Sequence, residues 1–184
     1  FLHVPDPNRS TAENILHLIR PTGEFNDDEA KLLDRCLILH AEHGGGNNSS
    51  FTVRVTSSSG TDTYSAISAA IGSLKGPKHG GANHKVMEML GYIMEGVKDH
   101  SDDAEIAAFL RRILRKEAGD GSGLIYGMGH AVYTLSDPRA ELLHKYAERL
   151  VVGTEHEAEF RLLEIIERLA PQLLAEAGKR KDIC

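Results

Sequence analysis

Apolar residues along this chain recur mainly at the spacing of an α-helix. In DDEAKLLDRCLILHAEH (27–43), Leu33, Cys36, Leu37 and His40 share one stripe, and Asn26 or Asp27 stands where a cap belongs. The next stretch, NNSSFTVRVTSSSG (47–60), carries both signals: Thr52, Val53, Val55 and Thr56 are β-branched, and FTVRV alternates like a strand. No segment of similar character is available to pair with it, so a helix is expected there as well. TDTYSAISAAIGSLKG (61–76) is rich in small residues, which predicts a buried helix packed closely on its neighbours. Further helices are expected from about 83 to 98, over 102–119 with Gly119 as C-cap, over 137–151 with Asp137 as cap and Pro138 in the first turn, and over 155–179. Two glycine-rich segments, around GPKHGGAN (76–83) and GDGSGLIYGMGHAVYT (119–134), punctuate the helices. The fold class this predicts is all-α, with function sought in the glycine-rich segments, where a ligand can come close to the backbone.

Composition narrows the classes. Of 184 residues, 41% are hydrophobic and 26% charged, an ordinary balance for a folded globular protein with a core of its own. The formal net charge of −6 argues against nucleic acid as partner, and no apolar run reaches the length of a membrane span. Asp6, Asn8 and Arg9 interrupt the start too early for a secretory leader. Cys36 and Cys184 are far apart and form no CxxC, which fits free thiols in a reducing cytoplasm. Phe1 is not a start methionine and Cys184 follows directly on the charged run KRKDI, so the chain is expected to be a piece of something longer.

Among ten histidines, three sit beside glycine: His43 before GGGNN, His79 before GGAN, and His130 after GMG. His3, His17, His100, His144 and His156 lie in polar or amphipathic contexts and read as surface or helix-face residues. Two functional readings of the first group stay open. His40 and His43 at a helix end, with His79 and His84, could ligate zinc, but there is no HExxH and no cysteine cluster. Alternatively, the histidines and Arg139 form a pocket for a small dicarboxylate, the imidazoles donating hydrogen bonds or protons and the guanidinium forking onto a carboxylate. In that reading a helix beginning after Gly80 places His79 near its positive end, which favours the neutral imidazole. Cys36, on an apolar stripe, reads as a packed thiol, and no G-x-S-x-G turn supports serine catalysis.

Three segments, LILHAEHGGGNNSSFTVRV, SAISAAIGSLKGPKHGGANHKVMEML and YGMGHAVYTLSDPRA, follow one another in an order that resembles citrate synthase, over essentially Phe1 to Cys184. The resemblance implies the citrate synthase-like multi-helical fold, with part of a large domain at 1–76 and most of a small domain at 77–184. It implies that His79 hydrogen-bonds the acetyl-CoA carbonyl and that His130 donates a proton to the oxaloacetate carbonyl. It places His43 and Arg139 against oxaloacetate, and Tyr126, Gly127, Met128 and Gly129 against the coenzyme A adenine. Met128 stands where the family often has an aromatic residue. Lys179 and Lys181 resemble basic positions near the nucleotide, though a solvated helix end explains them equally well. The implied reaction is condensation of acetyl-CoA with oxaloacetate and hydrolysis of citryl-CoA, the entry step of the tricarboxylic acid cycle. No metal or redox cofactor is implied, coenzyme A being part of the substrate, and a cytoplasmic homodimer is expected. The family's general base, an aspartate in a segment beyond the position of Cys184, is not in the chain, nor are later carboxylate-binding arginines. A 2-methylcitrate synthase using propionyl-CoA is the alternative for the enzyme. For the chain alone, the alternative is a folded but inactive fragment whose LILH (37–40) and FTVRV (51–55) faces self-associate.

Overall fold

The computed structural model describes residues 2–41, 46–76, 80–128 and 137–179. They form eight helices and, among the described residues, no strand: α1 (Thr11–Ile19), α2 (Asp27–His40), α3 (Asn48–Ser58), α4 (Thr63–Leu74), α5 (Ala82–Gly96), α6 (Asp103–Leu114), α7 (Pro138–Val151) and α8 (Glu157–Glu176). The all-α expectation holds. α1 lies where the apolar pattern raises no expectation, but a short signal marks it. Ser10 accepts from the Glu13 amide and Glu13 accepts from the Ser10 amide, the reciprocal pair encoded by S-x-x-E. Asn26 and Glu29 build the same device at the start of α2, so the cap there is Asn26 and not Asp27.

The ambiguous FTVRV run is helical for a local reason. Asn47 caps α3 by accepting from the Ser50 amide. Behind it, the hydroxyls of Thr52, Thr56 and Ser57 donate to the carbonyls of Asn48, Thr52 and Val53, at 2.8, 2.7 and 2.7 Å. Side-chain hydroxyls that could compete with the helix are thereby folded back onto it. α4 departs from expectation. It packs on α3 and buries Ala66 and Ala70, but Tyr64 is 88% exposed and Ile67 and Ile71 are also exposed. Small residues bring α4 close to α3 on one side only.

α6 is shorter than its apolar pattern suggests. It ends at Leu114, where the Lys116 amide donates to Ile113 and the Glu117 amide to Arg112. Lys116, at φ 65°, fills the left-handed position that ends such a helix. Gly119 is therefore not the cap. The signal is hidden because a lysine does what glycine usually does at that position.

The described residues divide into two packing units, residues 1–44 with 138–154 and residues 45–137 with 155–184. In the first, α1, α2 and α7 come together. Arg20 forks onto the Glu29 carboxylate at 2.9 and 2.8 Å, and the Arg35 guanidinium lies 4.1 Å from the Tyr146 ring centre. His3 and His17, expected to be surface or helix-face residues, hold the turn after α1 by bonding the carbonyls of Pro21 and Gly23, each at 3.1 Å. Cys36 is half-buried, and burial pushes its thiol pKa up, which suits a packed rather than a reactive sulfur.

The second unit holds the main core. Met89, Leu90 and Ile93 of α5, Ile106, Phe109, Leu110 and Ile113 of α6, and Leu162, Ile166, Ala170 and Leu173 of α8 form one buried cluster, joined by Ile125 from the glycine-rich loop. Each helix supplies these residues at three- and four-residue steps. α8 runs through Pro171 without ending, because this apolar face is anchored on both sides of it. The α3–α4 hairpin, in contrast, presents Phe51, Val55, Ile67 and Ile71 outward, beside a shallow open groove of about 450 Å³.

Candidate functional site

Two of the glycine-rich elements meet on α5. At its start, α5 has Gly81 as N-cap with no side-chain hydrogen bond, and no acidic residue in its first turn. Among the described residues no side chain caps this end, where the first amides and the positive end of the dipole lie. His79 immediately precedes Gly80 but lies outside the described residues, as do His43, Gly129, His130 and Lys181.

Gly80 itself has a structural reason to be glycine. A Cβ there would lie 2.4 Å from the Leu74 carbonyl oxygen at the end of α4. Its amide donates to the Gly76 carbonyl at 3.0 Å. Gly80 is thus required by its own backbone, whether or not a ligand binds beside it. Gly80→Ala is expected to lower stability by about 1–3 kcal/mol, the usual cost of overpacking, as read by urea denaturation. A variant as stable as the wild type would show that this turn relaxes freely.

The loop after α6 approaches α5 from the other side. Ile125 is buried in the core, while Tyr126 and Met128 pack against it half-buried. Gly127 has φ +85°, and a Cβ there would stand 3.2 Å from Val86 of α5. Both facts call for glycine: the backbone turns in the left-handed sense as it passes close over the helix. At the far end, Gly178, φ +69°, closes α8 and turns the chain so that Lys179 reaches back. The Lys179 ammonium donates to the Gly123 carbonyl, which is buried in the loop. Tyr126, Gly127, Met128 and Lys179 thus belong to one neighbourhood, built around residues 119–128.

Sequence reasoning misses the polar half of this neighbourhood. Asp120 accepts from the Tyr126 hydroxyl at 2.7 Å and from the Ser122 amide at 3.0 Å, and the Ser122 hydroxyl accepts from the Leu124 amide at 3.2 Å. Lys85 of α5 lies 3.5 Å from the same carboxylate and donates to Glu88 at 2.7 Å, while His84 pairs with Glu88 at 3.1 Å. Hydrogen bonds from Ser122, then Tyr126, with the Lys85 charge beside them, hold the Asp120 carboxyl well below the usual carboxylate range. Its stabilising contribution is present above the ordinary carboxylate value and is lost only as acid protonates it below that. The signal that could have found it is D-x-S at 120–122, an Asx turn, together with K-x-x-E at 85–88 on one helix face.

Arg139 is the second residue of α7 in the other packing unit and is half-buried. Among the described residues no group of three or more histidine, cysteine, aspartate or glutamate side chains is arranged to hold a metal ion. No described helix is long and apolar enough to cross a membrane.

Comparison with known proteins gives a consistent answer. The family described as "Citrate synthase, C-terminal domain" matches residues 2–183. A citrate synthase of Acidithiobacillus ferridurans is 39% identical over 97% of this chain, which covers 43% of that enzyme. The 2-methylcitrate synthase 2 of Corynebacterium glutamicum is 34% identical over 97% of the chain, covering 44% of that enzyme. The crystal structure of citrate synthase from Thermotoga maritima superposes with a TM-score of 0.65 at 28% identity, covering 99% of this chain and 50% of that one. The chain thus spans about half the length, or less, of the relatives it matches.

Proposed function

The chain belongs to the citrate synthase family, and from that premise we propose that it carries the two histidine segments of an enzyme condensing acetyl-CoA with oxaloacetate. The observation that carries this reading is the match over residues 2–183, which includes both segments in order. His79 donates a hydrogen bond to the thioester carbonyl oxygen as the methyl group loses its proton to the carboxylate that the family supplies. The enol carbon then attacks the oxaloacetate ketone, and His130 gives a proton to the ketone oxygen as it becomes a hydroxyl. Hydrolysis of the citryl thioester releases citrate and coenzyme A. Neutral imidazoles suit both steps, because negative charge develops on a carbonyl oxygen and a preorganised donor meets it there.

In the same proposal, His43 and Arg139 bind the oxaloacetate carboxylates. Tyr126 to Gly129 lie along the coenzyme A adenine, and Lys179 and Lys181 stand near its nucleotide. The reaction needs no metal or redox cofactor. A cytoplasmic homodimer at the entry of the tricarboxylic acid cycle completes the reading, and the exposed Phe51, Val55, Ile67 and Ile71 of α3 and α4 support pairing through that hairpin.

The relative named for 2-methylcitrate favours a second reading, with propionyl-CoA as the acyl donor. Steady-state kinetics on the full-length protein separates the two. The first predicts kcat/KM for acetyl-CoA at least about tenfold above propionyl-CoA, since one methylene in an apolar pocket is worth about 10–200-fold. A propionyl preference sinks it in favour of the second.

A further inference from the structure

The Tyr126 hydroxyl is already engaged. It has a single proton, which it donates to Asp120 at 2.7 Å, and Ser122 Oγ lies 3.1 Å from the same oxygen. The ring's edge and face are held as well, by the core on one side and by Lys85 Nζ at 6.0 Å from its centre on the other. Lys85 and Glu88 from α5 and Asp120, Leu124 and Tyr126 from the loop line a crevice of only about 10 Å³. That is space for one water at most. The arrangement is a fastening and not a ligand pocket.

Its position along the chain gives the fastening a consequence. Lys85 lies on α5, which begins three residues after His79, and Tyr126 lies four residues before His130. Gly127, between Tyr126 and His130, passes over Val86, the neighbour of Lys85. We infer that the Lys85–Asp120–Tyr126 network fastens the loop 119–128 to α5 and so fixes the two described ends, Gly80 and Met128, from which the chain runs on to His79 and His130, making all three positioning residues. The inference rests on the proposed condensation, and it takes the Tyr126 hydroxyl out of the contact with the coenzyme A adenine, leaving that contact to the chain after it. A misplacement of about 1 Å between two groups that must act on one reacting pair costs up to about 100-fold in rate.

The test uses the full-length protein and Tyr126→Phe, which keeps the ring in its packing and removes only the hydroxyl. The expected result is a 10- to 100-fold loss of kcat, with a melting temperature within about 3 °C of the wild type. Lys85→Met reports from the other side of the network, and the double variant is expected to lose no more than the worse single one. A network that merely stabilises would lower the melting temperature and leave kcat intact, and that outcome overturns the inference. Hydrogen exchange at the amides of Ser122 and Leu124 supplies a readout independent of activity. Tyr126→Phe is expected to speed it at least about tenfold, and unchanged exchange also overturns the inference. An inactive wild type whose exchange still responds to Tyr126→Phe overturns the functional reading and not the fastening. An active wild type indifferent to the substitution does the reverse.

Discussion

Replacing His79 by alanine in the full-length protein is expected to lower kcat by about 10²–10³, with KM for oxaloacetate changed only slightly. In the proposed mechanism that is the usual cost of removing one preorganised donor from a developing oxyanion. The thioester carbonyl is a weak acceptor in the ground state and gains charge only as the enol forms, so the loss falls on kcat more than on binding. If His130 is the proton donor proposed above, His130→Ala is expected to cost about 10²–10⁴. Stopped or steady-state assays of thiol release check both, alongside circular dichroism to show an intact fold. A kcat within threefold of wild type for either variant would remove that histidine from the mechanism.

The largest expected effect on stability comes from Leu110→Ala. Leu110 is fully buried at the middle of the cluster formed by α5, α6 and α8. Truncating it removes favourable burial and leaves a cavity, together costing about 2–5 kcal/mol. Urea denaturation should show the midpoint falling with the slope unchanged, as expected when the native state is weakened but the exposed surface is the same. A cost below about 1 kcal/mol would mean that the core collapses to fill the space. Nearby, Arg168 grips Asp103 at 2.6 and 2.8 Å across α8 and α6, yet both side chains are about half-exposed. Water and salt screen that pair, so breaking it is expected to matter far less than deleting one leucine. The loop stands on the same core through Ile125. Weakening the core therefore loosens the site, and melting and activity should be read together.

Most of the helices are legible in residue spacing alone, because an apolar residue every three or four positions has one comfortable solution in a chain that must bury that face. α8 is readable through its internal proline for this reason. α1 escapes such a reading because its apolar stripe is short, and the information sits in the Ser10–Glu13 cap. The end of α6 misleads for the opposite reason: Gly119 is the obvious terminator by residue type, and the left-handed turn is made three residues earlier by Lys116.

Function is legible to a different depth. The glycine-flanked histidines at 43, 79 and 130 and the segments around them carry the family on their own, since long ordered motifs are specific. Periodicity does not separate the two roles of glycine near them. At Gly80 the missing side chain serves the backbone of α4, at 2.4 Å, and at Gly127 it serves the passage over Val86. Both approaches join positions that show no complementary pattern in the sequence.

By itself, then, the sequence determined the helical class, most of the helices and membership in the family. Each is encoded locally, in spacing or in contiguous motifs. Only the tertiary structure decided that the Tyr126 hydroxyl is spent on Asp120, that Lys85 reaches the same carboxylate, and that Lys179 ties down Gly123. These pairings join residues up to 56 positions apart. A hydrogen bond specifies its partner by position in space, and position in space exists only once the helices have packed.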